Sequence, residues 1–160
     1  MYQNIMVPLD GSEVAECVLP HLKVLIELER VKEIIFVRVV TPLHMHGGLE
    51  TRFLPEEREK LDQDAVNIAR EYLGQIAKRF KDKDITIKTE VLFGKVEQEL
   101  EEYANKHKVD LIILSSHGYS GLTHEITHWG WGSTADRILR QTNAPILLVR
   151  ACGANAVSKK

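Results

Sequence analysis

Two short stretches in the second half of the chain have the residue types of an anion-binding loop. The first, Ser115-Ser116-His117-Gly118, follows an almost uninterrupted apolar run from Val109 to Leu114. The second, Gly132-Ser133-Thr134-Ala135-Asp136, leads into apolar positions at helical spacing. The first N–H groups of a helix have no partner within it, and the helix dipole is positive there, so such a place favours phosphate and other anions. We therefore predict an anion site between residues 115 and 134.

Local capping offers a simpler explanation for the same residues. Ser133 is predicted to be the N-cap of the following helix, because a serine hydroxyl accepts a hydrogen bond from an N–H group in the first turn. Asp136, three residues later, completes a pattern similar to a capping box. Glycines in loops commonly serve turns rather than ligands. From residue types alone, anion binding and simple turn formation therefore both stay open.

A metal-binding motif competes with this interpretation. His124-Glu125-Ile126-Thr127-His128 has the H-E-x-x-H spacing with which metalloproteases hold zinc and position a base. In such enzymes the motif lies on a core helix and a third protein ligand completes the site. Here Gly121 precedes it and Trp129-Gly130-Trp131 follows, which is typical of a loop. We expect no catalytic zinc site and keep a zinc hydrolase as the less favoured alternative; His44 and His46, in another loop, are also expected to lie in solvent.

Five strand patterns alternate with four helical patterns, and this order positions the loops. Such an α/β order requires a single parallel sheet with right-handed crossovers and helices on both faces. Pro20 lies inside the first helical pattern, which begins after Ser12, and is predicted to kink or split it. The predicted strands are Asn4–Leu9, Glu33–Val40, Ile85–Leu92, Val109–Leu114 and Pro145–Val149, and the later helices are Pro55–Arg79, Val96–Lys106 and Ser133–Arg140.

The composition is that of an ordinary globular domain. The net charge is -2 and the basic residues form no block, so we predict no nucleic-acid surface. No apolar run approaches the roughly 20 residues that span a bilayer, and the first residues lack a signal-peptide pattern. Cys17 and Cys152 show no metal spacing and are expected to be thiols in a reducing compartment. We expect a cytoplasmic protein with one domain at residues 1–150 and a disordered tail at residues 151–160.

Segments along nearly the whole chain resemble the universal stress protein family, and they occur in that family's order. The opening strand and turn, Ile5 to Ser12, the second strand, Phe36 to Val40, and the closing segment, Asn143 to Val149, each look like their family counterparts. The family signature is a small residue, two residues, a glycine, a loop and then Gly-Ser or Gly-Thr. Here it stands as Ser115, Gly118, Gly132 and Ser133.

The resemblance implies a strand order of 3-2-1-4-5, in which ligands bind at the carboxyl ends of strands 1 and 4. It implies an adenine nucleotide, ATP or AMP, with or without Mg²⁺, bound in a signalling or stress-response role. Asp10 would contact the ribose or adenine, and Val39 would pack against the base with Pro8 and Leu9. The other site residues that it implies are Leu114, Ser115, Gly118, Gly132, Ser133 and Thr134.

Turnover is expected to be slow or absent, at most that of a slow ATPase. No lysine follows the glycine turn as in a P-loop, and His117 is the nearby candidate for a base. In this family Ser115 is usually a glycine, and the loop between residues 118 and 132 is usually shorter. An interaction module of the same fold that binds no nucleotide is therefore kept as an alternative. The resemblance also implies a homodimer through the last strand, Ile146–Val149, which is apolar and lies at a sheet edge in this order.

Overall fold

A five-stranded parallel sheet organises the protein, whose computed structural model describes residues 2–28, 31–45, 53–80, 84–118 and 132–150. The strand order is β3-β2-β1-β4-β5, as predicted. The described strands are β1 (Asn4–Pro8), β2 (Glu33–Val40), β3 (Thr86–Phe93), β4 (Leu111–Ser115) and β5 (Ile146–Val149). The described α-helices are α1 (Leu19–Leu28), α2 (Pro55–Lys78), α3 (Val96–Lys106) and α4 (Ser133–Gln141), with short 3-10 helices at Ala15–Val18 and Leu43–Met45. None of these helices is long and apolar enough to cross a membrane.

The core has two layers, one on each face of the sheet. Along β2, Ile34 and Phe36 belong to the layer under α1 and α2, whereas Ile35 and Val37 belong to the layer under α3 and α4. Successive strand residues point to opposite faces, so a strand that is covered on both faces must be apolar throughout. The apolar runs of β1, β2 and β4 meet this requirement. The prediction of helices on both faces is therefore confirmed.

The first helical segment is divided, as Pro20 predicts. A 3-10 helix at Ala15–Val18 precedes α1, and Pro20 is the second residue of α1, where a missing N–H costs no helical hydrogen bond. Ser12 Oγ accepts a hydrogen bond from the Ala15 N–H at 3.1 Å. Ser12 thus caps the turn that leads into this segment.

The predicted N-cap of α4 is wrong by one residue. Gly132 is the N-cap, and Ser133 is the first helical residue. The Gly132 N–H donates to the Ser116 carbonyl at 2.8 Å, and this bond holds Gly132 extended, with ψ 148°. No capping box forms at Gly132, which has no side chain to accept a hydrogen bond, and the Asp136 carboxylate pairs with Arg140.

Several strand ends differ from prediction by one or two residues. Other predictions concern residues that the structure does not describe. β4 begins at Leu111 rather than Val109, because the Val109 N–H still bonds to the Ala104 carbonyl at the end of α3. The H-E-x-x-H motif at 124–128, His46 and the tail at 151–160 fall outside the described residues.

Candidate functional site

A cleft of about 500 Å³ opens at the carboxyl ends of β1 and β4, where the strand order reverses. In open α/β sheets this is the usual place for a ligand. Ser133 begins α4 beside the cleft. The predicted site residues that line it are Pro8, Leu9, Asp10, Val39, Leu114, Ser115, Gly118, Gly132 and Thr134.

The turn after β1 presents Asp10 to this cleft. Asp10 Oδ1 accepts hydrogen bonds from the Ser12 N–H at 2.9 Å and from Ser12 Oγ at 2.6 Å. The Leu9 N–H donates to the Val37 carbonyl at 2.8 Å, which fixes the end of β1 against β2. The carboxylate is therefore held by its own turn and remains exposed at the rim.

The loops after β1 and β4 meet, as the strand order predicts. A Cβ atom added at Gly118 would overlap Oδ2 of Asp10. A Cβ added at Gly132 would lie 3.1 Å from the Ser116 carbonyl oxygen. Both glycines are therefore needed for close approach rather than for an unusual backbone conformation, since Gly132 has an ordinary φ of -58°.

The hydroxyl groups after β4 bond within their own loop. Ser115 Oγ donates to the His117 carbonyl at 2.5 Å. The serine that stands in place of the family glycine therefore closes the turn with its hydroxyl group. Ser116 is fully buried, and its Oγ lies 3.1 Å from His117 Nδ1. The Ser116 N–H bonds to the Val149 carbonyl at 2.8 Å and ties the loop to β5.

An apolar wall faces these polar groups, and part of it was missed from the sequence. Val37 and Val39 of β2 and Val96 and Leu100 of α3 line the same cleft. Helical spacing predicts that Val96 and Leu100 face inward but not what they face. The missing signal is topological: α3 and α4 cover the same face of the sheet, so residues at the start of α3 lie beside the start of α4.

A cation supports the Asp10 turn from the other side of the sheet. Gly11 has φ 90°, and a Cβ there would lie 2.8 to 3.1 Å from three guanidinium atoms of Arg38. Arg38 Cζ lies 5.5 Å from the Tyr72 ring centre, and the Tyr72 hydroxyl donates to Glu16 at 3.2 Å. Burial first, and then the charge of Glu16, raise the pKa of Tyr72 well above its usual value. These contacts connect α2 to the turn that carries Asp10.

A second cleft, of about 480 Å³, is a weaker candidate for an anion. Its lining includes Arg58 and His44 but also the carboxylates of Glu59 and Asp62. At the adjoining N-terminus of α2, Pro55 has no N–H to donate and the Glu57 carboxylate accepts the Leu54 N–H at 2.8 Å. The N-cap of α4 is a glycine and supplies no side-chain cap, so the first N–H groups of this helix are donors that a ligand can use.

Comparison with known proteins decides the family. The profile described as "Universal stress protein family" matches residues 1–150. The chain belongs to the universal stress protein family. Universal stress protein MJ0577 of Methanocaldococcus jannaschii is 27% identical over 164 residues, covering 94% of this chain and 96% of its own. The resemblance seen in the sequence is thus confirmed.

Solved structures of universal stress proteins have the same fold. The MJ0577 structure superposes with a TM-score of 0.80 at 26% identity and covers 96% of this chain and 99% of its own. A family protein of Arabidopsis thaliana with AMP bound has a TM-score of 0.62 at 10% identity, covering 98% and 97%. The universal stress protein of Archaeoglobus fulgidus in complex with dAMP has a TM-score of 0.58 at 18% identity, covering 92% and 98%.

Proposed function

We propose that this universal stress protein binds an adenine nucleotide in the cleft between the ends of β1 and β4. The observation that carries the proposal is the meeting of the Asp10 turn with the uncapped N-terminus of α4 in one cleft of about 500 Å³. Universal stress proteins of the same fold have been solved with AMP and with dAMP. A stress-response or signalling role follows from the family rather than from any residue of the cleft.

The lining supplies a complementary group for each part of the nucleotide. Asp10 offers carboxylate oxygens to the ribose hydroxyls or to the adenine amino group, since an ionised carboxylate is purely an acceptor. Pro8, Leu9 and Val39 form an apolar surface for the base. The backbone N–H groups of the first turn of α4, with the Thr134 hydroxyl, lie where they can bind phosphate oxygens.

We infer that the nucleotide is held with slow or no turnover. Rapid phosphoryl transfer requires a placed metal, a positioned nucleophile and a cation that stabilises the transition state. Asp10 and His117 are the titratable side chains among the described residues that line the cleft. Binding needs only the helix terminus and the apolar wall, whereas fast hydrolysis would require these two groups to fill all the catalytic roles.

Calorimetry with ATP, ADP, AMP and adenosine, with and without Mg²⁺, tests this function. We expect saturable binding and no phosphate release on the time scale of the titration. Gly132→Val should abolish binding, because its Cβ would push against the Ser116 carbonyl, 3.1 Å away, and displace the start of α4. Gly74→Ala is the matched control, since nothing lies within 4 Å of a Cβ at Gly74. No heat from any ligand at millimolar concentration would overturn the proposal in favour of an interaction module.

A further inference from the structure

Among the described residues that line the cleft, one can supply a positive charge to a ligand. Among the described lining residues, Asp10 is an acid and His117 is the side chain that can become a cation; the others are apolar, hydroxyl-bearing or glycine. With a neutral imidazole this lining has a net negative charge, which opposes a phosphate. With an imidazolium the two charges balance.

The other charged side chains described near the cleft are not among its described lining residues. Arg38 lies behind the turn, with its guanidinium against Gly11. On α4, Asp136 pairs with Arg140, and Arg137 pairs with Glu97 of α3. Since these side chains are not part of the described lining, His117 is the group placed to respond to the charge of a ligand.

The position of the His117 ring leaves one nitrogen for that purpose. Nδ1 lies 3.1 Å from the hydroxyl of Ser116, which is fully buried, so the ring is anchored on this side. Nε2 is the remaining polar atom of the ring. A Cβ added at Gly132 would lie 3.5 Å from His117 Cα, so His117 stands directly beside the N-cap of α4. A phosphate bound at that helix terminus would therefore lie close to this histidine.

We propose that His117 recognises the phosphate of the ligand. Its protonated ring donates a hydrogen bond to the phosphate, and the site therefore selects nucleotides over nucleosides. The inference rests on the proposed nucleotide-binding function. A bound phosphate favours the protonated form of a neighbouring imidazole. By linkage, affinity for AMP rises as pH falls, whereas affinity for adenosine does not depend on His117.

Calorimetric titration of AMP and adenosine at several values between pH 5.5 and 8.5 tests this role. At pH 5.5 wild type should bind AMP about tenfold more tightly than His117→Gln, the scale of one charge-assisted hydrogen bond, and the ratio should approach one at pH 8.5. The phosphate of AMP also titrates, so the ratio of the two proteins' affinities at each pH, rather than either affinity alone, reports on His117. His21→Gln, an exposed histidine on α1, is the matched control and should behave as wild type.

A variant with a permanent positive charge at position 117 separates an effect of charge on phosphate recognition from an effect of the substitution on folding. His117→Lys should bind AMP at pH 8.5 more tightly than wild type and show little pH dependence beyond that of the ligand. Wild-type pH dependence in His117→Gln, or an equal loss of adenosine and AMP affinity in that variant, would overturn the inference while leaving nucleotide binding in place. Failure of both ligands to bind wild type at every pH would overturn the proposed function and the inference together.

Discussion

At the scale of single residues, glycines shape this cleft, because other groups of the protein lie close to their backbone. Gly118 lets the loop after β4 come against the Asp10 carboxylate, and Gly132 lets α4 begin against the Ser116 carbonyl. Gly11 differs, because it combines a positive φ with contact to the Arg38 guanidinium. A side chain at any of the three glycines would move a group that lines or supports the cleft.

Gly118→Ala should therefore weaken nucleotide binding without unfolding the protein. The added methyl group displaces the Asp10 carboxylate from its place beside Ser12, and loss of one hydrogen bond to a charged group costs about 1.5–3 kcal/mol. We expect nucleotide affinity, measured by calorimetry, to fall about 10- to 100-fold. Gly74→Ala, in open space on α2, should keep affinity and raise the free energy of unfolding by about 0.5–1 kcal/mol. Wild-type affinity in Gly118→Ala would show that Asp10 contributes nothing to binding.

At the scale of helices and strands, some features could be predicted from neighbouring residues in the sequence and others could not. Pro55 at a helix start and Pro20 at a helix break follow from backbone chemistry alone, and both are found. The sheet order came from the family resemblance, whereas burial on both faces came from the apolar runs. The start of α4 at Ser133 is as predicted, but its N-cap is Gly132 rather than Ser133. The Gly132 N–H bonds to the Ser116 carbonyl, and no local pattern reveals a partner sixteen positions away. That Val96 and Leu100 line the cleft was not predicted either, because it depends on α3 and α4 covering the same face of the sheet.

Helix α3 makes stability sensitive to alkaline pH through Tyr103. Burial first, and then the charges of Glu90 and Glu33, raise the pKa of Tyr103 from 10.0 to about 12. The folded state thus favours the neutral phenol, so this stabilisation is complete below pH 10 and is lost as pH rises toward 12. The loss approaches about 1.4 kcal/mol per pH unit. In urea unfolding between pH 9 and 11, wild type should lose more stability than Tyr103→Phe. Parallel curves for the two proteins would contradict this assignment.

At the scale of the whole molecule, the two edges of the sheet differ in their chemistry. β3 carries exposed polar residues on its edge, and Lys88 pairs with Glu33 of the neighbouring strand at 2.6 Å. Lysines on an edge discourage pairing with another chain. β5 reads Ile-Leu-Leu-Val, and its first three residues are only partly buried within one chain. β5 is therefore the edge suited to strand pairing between copies.

We expect a homodimer that pairs through β5, with a mass by light scattering of twice the chain mass of 18.2 kDa. The carbonyls of Pro145 and Val149 accept hydrogen bonds from Ile112 of β4 and from Ser116, which follows it. By strand alternation the Leu148 N–H therefore points away from the sheet. Leu148→Pro removes this donor and should give a monomer, since proline is tolerated where the edge N–H faces outward.

Thr89→Pro makes the matched change on the other edge. The Thr86 and Gly94 N–H groups bond toward β2, which places the Thr89 N–H outward on β3. Thr89→Pro should remain dimeric, and both variants should keep nucleotide affinity, because neither residue lines the cleft. A monomeric wild type at high micromolar concentration would contradict the dimer. Dissociation by Thr89→Pro but not by Leu148→Pro would move the interface to β3.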